Sequence, residues 1–240
     1  MTAVACQEPT GNVQLTFSAA IDGQPLQQDT CIYENAAGNQ YAVTEVQYFI
    51  SNIRLRSANN NEYVLKGDYG AHYVDMDLPA TLQWAPDDEI PAGEYVSITL
   101  HFGLMPTLNV TGFYPNLPEN NMSWPTPLGG GYHYMKINGR WLNEAGTFTN
   151  FNLHTGLGQQ RDASGNIIGF IDNSFEITLP LHHFRISKGE TVSLPLTMNL
   201  NEWFENPYIF DFNIVGGSIM QNQEAQDLLK ANGVNVFSIK

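Results

Sequence analysis

Six histidines, His72, His101, His133, His154, His182 and His183, are the side chains in this 240-residue chain best suited to chemistry. A neutral imidazole is the commonest metal ligand, and a methionine thioether beside it adds a preference for Cu(I). His101 and Met105 are separated by three residues at the end of a strand-like stretch, and they converge on one ion if the chain turns at Gly103. His154 closes another such stretch, just before a Gly-rich polar segment. Met122, Trp124, Tyr132 and Tyr134 offer a Trp/Met/Tyr cluster near it, or simply the apolar anchors that a long loop needs. His182 and His183 are adjacent, so alternation sends them to opposite faces and they read as a surface pair. His133 lies between Tyr132 and Tyr134, points away from their face, and is expected to be exposed. Asp75 and Asp77 share a face and read as a solvated strand edge.

Enzyme signatures are missing. The chain has no Gly-x-Ser-x-Gly elbow, no Gly-x-x-x-x-Gly-Lys phosphate loop, no Cys-x-x-Cys and no His-Glu-x-x-His. Its two cysteines, Cys6 and Cys31, have no visible base to activate them. The expectation is a protein that is not an enzyme.

The elements that must position these residues read as strands. Hydrophobic residues make up 42% of the chain and charged residues only 14%, with 21 Gly and 13 Pro, the composition of a globular chain dense in turns. Val13, Leu15 and Phe17 alternate with polar residues, and the pattern returns at 43–55, 95–104, 131–137, 148–154, 175–181 and 191–198, each bounded by Gly, Asn, Asp or Pro. Within 95–104, Val96, Ile98, Leu100 and Phe102 define a core face. One helix is predicted over 222–232, where Ala225, Leu228, Leu229 and Ala231 form an apolar stripe and Asn232-Gly233 is a stop signal; a short helical turn is a weaker reading of 201–204. Two long segments, 105–130 and 155–172, lack strand periodicity. The prediction is an all-β fold, an antiparallel two-sheet β-sandwich of Greek-key, Ig or cupredoxin-like type with a short C-terminal helix. It occupies 12–240 as a single domain behind a tether at 1–11.

The formal charge of −14 opposes binding to phosphate backbones, so nucleic acid is not an expected partner. No apolar run approaches the ~18 residues of a membrane span. Ala3-Val4-Ala5-Cys6 followed by Gln7-Glu8-Pro9-Thr10-Gly11 looks like the end of a bacterial lipoprotein signal. That reading puts a lipid anchor, rather than a transmembrane segment, on Cys6 and the protein in the periplasm or at the cell surface as an outer-membrane lipoprotein.

Four ordered stretches carry a family resemblance. They are Tyr48-Phe49-Ile50-Ser51-Asn52-Ile53-Arg54-Leu55; Ile98-Thr99-Leu100-His101-Phe102-Gly103-Leu104; Met122-Ser123-Trp124 leading to Gly131-Tyr132-His133-Tyr134-Met135-Lys136-Ile137-Asn138-Gly139; and Phe151-Asn152-Leu153-His154-Thr155-Gly156. Together they resemble the MbnP-like family, copper-binding proteins associated with methanobactin operons and with MopE/CorA-type copper proteins. The end of the chain looks like that family's lipoprotein branch. The resemblance implies a β-sandwich that binds copper through His, often alongside a dihaem cytochrome c peroxidase-like enzyme that in some members oxidises a Trp to kynurenine. It carries His154 over as a ligand in the aromatic-x-Leu-His-x-Gly motif. Ser51 stands where copper-binding members have a His, Asn109-Val110 where they have Asn-His, and Thr126 where a second Trp is common. The expected metal ligands are therefore His154, His101 and Met105, with Met122, Trp124, Tyr132 and Ser51 lining the site. Copper is the first choice and zinc the second, and the partner is the dihaem protein or an outer-membrane receptor. The alternative is a lipoprotein interaction module that has lost the metal and binds another surface protein or a glycan.

Overall fold

The computed structural model describes residues 8–67 and 69–239; Cys6 and its anchor fall outside them. Twelve strands suffice to place the histidines: β1 (Thr10–Ile21), β2 (Gln40–Ser57), β3 (Glu62–Leu65), β4 (Ala71–Asp75), β5 (Gly93–Phe102), β6 (Met135–Leu142), β7 (Phe148–Thr155), β8 (Gly158–Arg161), β9 (Ile167–Ile171), β10 (Phe175–Ile186), β11 (Thr191–Asn199) and β12 (Phe237–Ile239). The larger sheet runs β7-β6-β2-β5-β10, with β3 and β4 also paired to β2. The smaller runs β12-β11-β1 and takes in three two-residue strands. The two sheets form the predicted sandwich. Pairing is antiparallel except between β1 and β11, which run parallel with Leu15 opposite Leu194 and Phe17 opposite Leu196.

Between the sheets lies the main core, built from the alternating residues that the period-2 pattern singles out: Val13, Leu15, Ile98, Leu100, Ile137, Leu153, Ile177 and Leu196 are all buried in it. One assignment fails. Val96 is 37% exposed, and Tyr95 takes the core position. Register shifts between Arg56 and Ser57 of β2 and between Pro180 and Phe184 of β10, the strands on either side of β5, accompany the change; a β-bulge breaks strict alternation in this way.

The predicted helix is α2 (Gln223–Gly233), preceded by the single-turn α1 (Phe212–Val215). Asn222 caps α2 by accepting a hydrogen bond from the Ala225 N–H at 3.1 Å. The turn around 201–204 is a 3₁₀ helix, Leu200–Phe204, with Trp203 buried. Segment 155–172 is not featureless, since β8 and β9 form a hairpin within it. Ile168 and Phe170 of β9 are exposed, and the buried residues of β8 are Gly158 and Gln159, so the hairpin buries no apolar side chain of its own that would produce a hydrophobic period.

Segment 105–130 forms a second layer. Leu104, Tyr114, Met122 and Tyr132 pack with Phe49, Tyr73 and Tyr134 into a smaller cluster separate from the sandwich core. The long Pro-rich loop thereby covers one part of the large sheet's outer face.

Candidate metal centre

His101 is on β5, directly across from Ser51 on β2. Ser51, the position at which the family resemblance implies an imidazole, therefore faces His101, not His154. After β5 the chain turns at Gly103, whose φ of +88° is in the left-handed region that favours glycine. A Cβ there would also come within 2.7 Å of the Tyr134 ring. The turn brings Met105 back so that its N–H donates to Ser51 Oγ at 3.1 Å, while Ser51 Oγ donates to the Gly103 carbonyl at 2.9 Å. Asn52 Nδ2 lies 4.0 Å from Met105 Sδ. His101, Ser51 and Met105 are thus gathered at one turn. The serine hydroxyl is occupied in stapling it, and the Met105 thioether meets the Asn52 amide.

The tautomer of His101 follows from its neighbours. Ser174 Oγ donates its proton to Asp172 Oδ1 at 2.7 Å, so it can only accept from His101 Nε2, 2.8 Å away. Asp172 Oδ1 is held further by the Ser174 N–H at 2.9 Å and by the Tyr134 hydroxyl at 3.0 Å. His101 Nδ1 is then left as a bare lone pair. It is buried and has no hydrogen-bond partner, on a residue only 8% exposed. Burial lowers the pKa of His101, against the opposing charges of Asp172 and Glu176. A buried polar atom without a partner costs about 1–3 kcal/mol, and a metal ion would satisfy it. A ligating histidine that donates its other N–H to an oxygen is the ordinary supporting arrangement for such an ion.

His154 is elsewhere. It sits on β7, separated from β5 by β6 and β2. Three strand spacings of about 4.8 Å put it roughly 14 Å or more from His101. The three expected ligands therefore do not form one site. Val110, the other position at which the resemblance implies a His, is exposed in the loop; its neighbour Asn109 is structural, accepting from the Tyr132 N–H at 2.7 Å and donating to the Tyr134 hydroxyl at 3.1 Å.

What His154 meets is His133, with ring centres 5.1 Å apart and planes at 88°. The expectation that His133 is exposed is wrong: it is 6% exposed. Met122–Trp124 folds back over it, the Met122 carbonyl accepting from the His133 N–H, and Trp124 stands edge-on at 4.7 Å. Alternation correctly turned His133 away from its tyrosine neighbours, but could not show that the loop would return to cover it. Trp124 and Met122 are packed and buried, and the Tyr132 hydroxyl accepts from the Tyr114 N–H at 2.7 Å. Of the expected lining residues, Met122 and Trp124 lie by His133, Ser51 lies by His101, and Tyr132 sits in the cluster between loop and sheet.

The remaining candidates are structural. Asp75 is buried rather than solvated, accepting from the Tyr73 hydroxyl at 2.8 Å and from Gln47 Nε2 at 3.1 Å. His182 and His183 are exposed, as expected of a surface pair. Among the described residues no three His, Cys, Asp or Glu side chains converge as a metal-binding group, and no helix is long and apolar enough to cross a membrane.

The fold and the ordered motifs define the class. The family model for MbnP matches residues 10–221, and the chain belongs to the MbnP family. Among solved structures, MbnP from Methylosinus trichosporium is similar in fold, with a TM-score of 0.56 and 14% identity over 83% of this chain and 79% of that one. A search of curated proteins finds no match.

Proposed function

We propose that this protein binds copper as Cu(I) and serves as a copper carrier or scavenger in the cell envelope, with His101 Nδ1 and Met105 Sδ as its primary ligands. The observation that carries the reading is the orphaned Nδ1 of His101, opposite the strand position where copper-binding relatives place an imidazole. Imidazole and thioether, with no carboxylate on the turn that gathers them, are a neutral, soft donor set, and such a set favours Cu(I) over Zn(II). Ser51 in place of that imidazole makes the site poorer in nitrogen than its relatives' sites, and weaker retention suits a carrier. The Ala3-Val4-Ala5-Cys6 sequence and the polar residues after it support anchoring through Cys6 at the outer membrane, and membership of the family supports action with a dihaem peroxidase-like partner or a receptor.

Anaerobic titration of the full chain with Cu(I) against a chromogenic competitor tests the reading. Wild type should bind, and His101→Ala should weaken the site by at least about tenfold, the usual cost of disturbing a metal's coordination. Unchanged affinity in His101→Ala would reject it. Growth of the full-length gene product with labelled palmitate tests the anchor.

A second reading has its own observation. A cleft of about 470 Å³ is lined by Tyr69, Trp84, Phe113, Tyr114, Asn116 and Glu119, among others. Aromatic faces beside a few polar groups are the usual walls of a small-ligand or sugar site, which favours the glycan-binding alternative. Trp84→Ala should abolish retention on a glycan array if that reading holds, and should leave Cu(I) binding unchanged.

A further inference from the structure

We propose that the aromatic cleft beside His72 binds a small organic cation with a methylated ammonium head, held against the rings of Trp84, Tyr69 and Tyr114 and balanced by Glu119. The inference rests on the second reading only in taking this cleft as a ligand site, and it names a cation where that reading names a sugar.

Residues from 69–73, running into β4, from 113–119 of the Pro-rich loop, and Trp84 wall the cleft, whose volume is about 470 Å³. That volume lies within the range of about 300–1,000 Å³ usual for small-molecule sites. The rings of the wall touch one another. Tyr114 stands 5.4 Å from Phe49, 5.0 Å from Phe113 and 6.3 Å from Tyr69, centre to centre, and Trp84 is stacked on His72 at 5.3 Å. At the rim, Tyr69 is 61% exposed and Phe113 41%. Contiguous apolar surface left in water in this way marks a place where a ligand can cover it.

The charge of the wall selects a cation. The face of an aromatic ring carries the negative part of its quadrupole and attracts a positive group within about 6 Å of the ring centre, Trp most strongly. Among the described residues that line the cleft there is no Lys or Arg to occupy those faces, and Glu119 is the one carboxylate. Glu119 is in no ion pair among the described residues. His72 adds no charge at neutral pH, because burial pulls its pKa down to about 4. Burial pushes the Tyr73 and Tyr114 hydroxyls up, and the Glu119 carboxylate adds to the effect on both. The formal charge of −14 on the whole chain draws cations toward it as well.

The same wall is poorly suited to other ligands. A sugar needs converging hydrogen-bond partners, yet the Tyr73 hydroxyl is engaged with Asp75 at 2.8 Å and His72 Nε2 with the Thr81 carbonyl at 2.8 Å. A bare inorganic cation would have to exchange its water for several oxygens. A methylated ammonium is weakly hydrated and offers the rings its own apolar surface. A head that also carries phosphate would meet no basic side chain in the lining.

Isothermal titration calorimetry of the full chain with choline, with neohexanol as its uncharged carbon isostere, and with phosphocholine tests the site. Choline should bind, neohexanol at least about tenfold more weakly, and phosphocholine more weakly than choline. Trp84→Ala and Tyr69→Ala should each weaken choline about three- to thirtyfold, the span of one cation–π contact. Glu119→Gln should weaken choline and spare neohexanol. Melting temperatures show whether each variant folds, and the largely exposed Tyr69 carries the test if Trp84→Ala does not. Equal affinity for choline and neohexanol, tighter binding of phosphocholine, or unchanged choline affinity in folded Tyr69→Ala and Glu119→Gln would overturn the inference. Trp84-dependent retention on a glycan array without choline binding would overturn it and leave the sugar reading standing. Binding of neither would end both.

Discussion

The two imidazole regions solve the same problem from opposite directions. At His101 a single ring is locked by a side-chain chain, Asp172 to Ser174 to His101, and its free nitrogen is sealed in with no partner. At His133 and His154 two rings are held by a carbonyl and a carboxylate-backed amide, and they face each other across 5.1 Å. One site has burial and lacks a second imidazole; the other has the pair beside a fixed positive charge. The contrast teaches that the number of histidines says less about a region's chemistry than which nitrogen each keeps free.

His72 supplies the control for both regions and the largest expected effect. It is stacked between Phe17 and Trp84, both at 5.3 Å, with Nε2 donating to the Thr81 carbonyl at 2.8 Å. Burial pulls its pKa down to about 4, and the cleft beside it holds Tyr69, Tyr73, Tyr114 and Glu119 as its titratable walls. Above about pH 6.5 the ring is neutral whether folded or unfolded. Between there and about 4 the unfolded chain binds the extra proton, so stability falls as pH falls, by up to a few kcal/mol at about 1.4 kcal/mol per pKa unit. Urea denaturation at pH 7 and pH 4.5 should show the loss. His72→Phe should reduce it without altering copper stoichiometry, and a variant as acid-sensitive as wild type would remove His72 from the account.

Gly156 offers a way to break the second region alone. A Cβ there would come within 2.7–2.9 Å of the Trp124 ring, so Gly156→Val should displace the indole that covers His133. Overpacking of this kind costs about 1–3 kcal/mol. The expected result is a lower melting temperature and altered tryptophan emission, with copper binding at His101 retained.

Ser174→Ala tests the first region by removing the acceptor for His101 Nε2. It should cost about 1–3 kcal/mol by orphaning buried groups and should weaken copper binding at His101. The smallest change in stability and the most pointed in function is Ser51→His, which restores an imidazole opposite His101. Copper affinity at that site should rise by about tenfold or more. The loss of the hydroxyl staple to Gly103 and Met105 should cost about 1 kcal/mol. No gain in affinity would mean that positions 51 and 101 do not share an ion.

Much of the fold was legible because a half-buried strand writes its geometry into the sequence. Val13, Leu15 and Phe17 alternate because every second side chain meets the opposing sheet. The α2 helix was legible for a similar reason, with Ala225 and Leu229 buried on one stripe and Asn222 at its cap. Val96 escaped because a bulge costs one residue of register and leaves no local mark. The β8–β9 hairpin escaped because the residues it buries, Gly158 and Gln159, are not hydrophobic, while Ile168 and Phe170 are exposed.

The candidate sites were only half legible. The types and order of residues in the sequence determined that His101 ends a strand before a glycine turn, that Met105 can return beside it, and that the chain carries the MbnP motifs with Ser51 in place of a histidine. Tertiary structure alone decided that Ser51 faces His101, that His154 lies three strands away, and that His133 is its neighbour. The reason is physical. Alternation assigns a side chain to a face from its nearest neighbours, but which strand lies beside it and which loop folds over it depend on pairings tens of residues apart, and those are fixed only when the sheet assembles and the 105–130 loop packs its own apolar anchors against it.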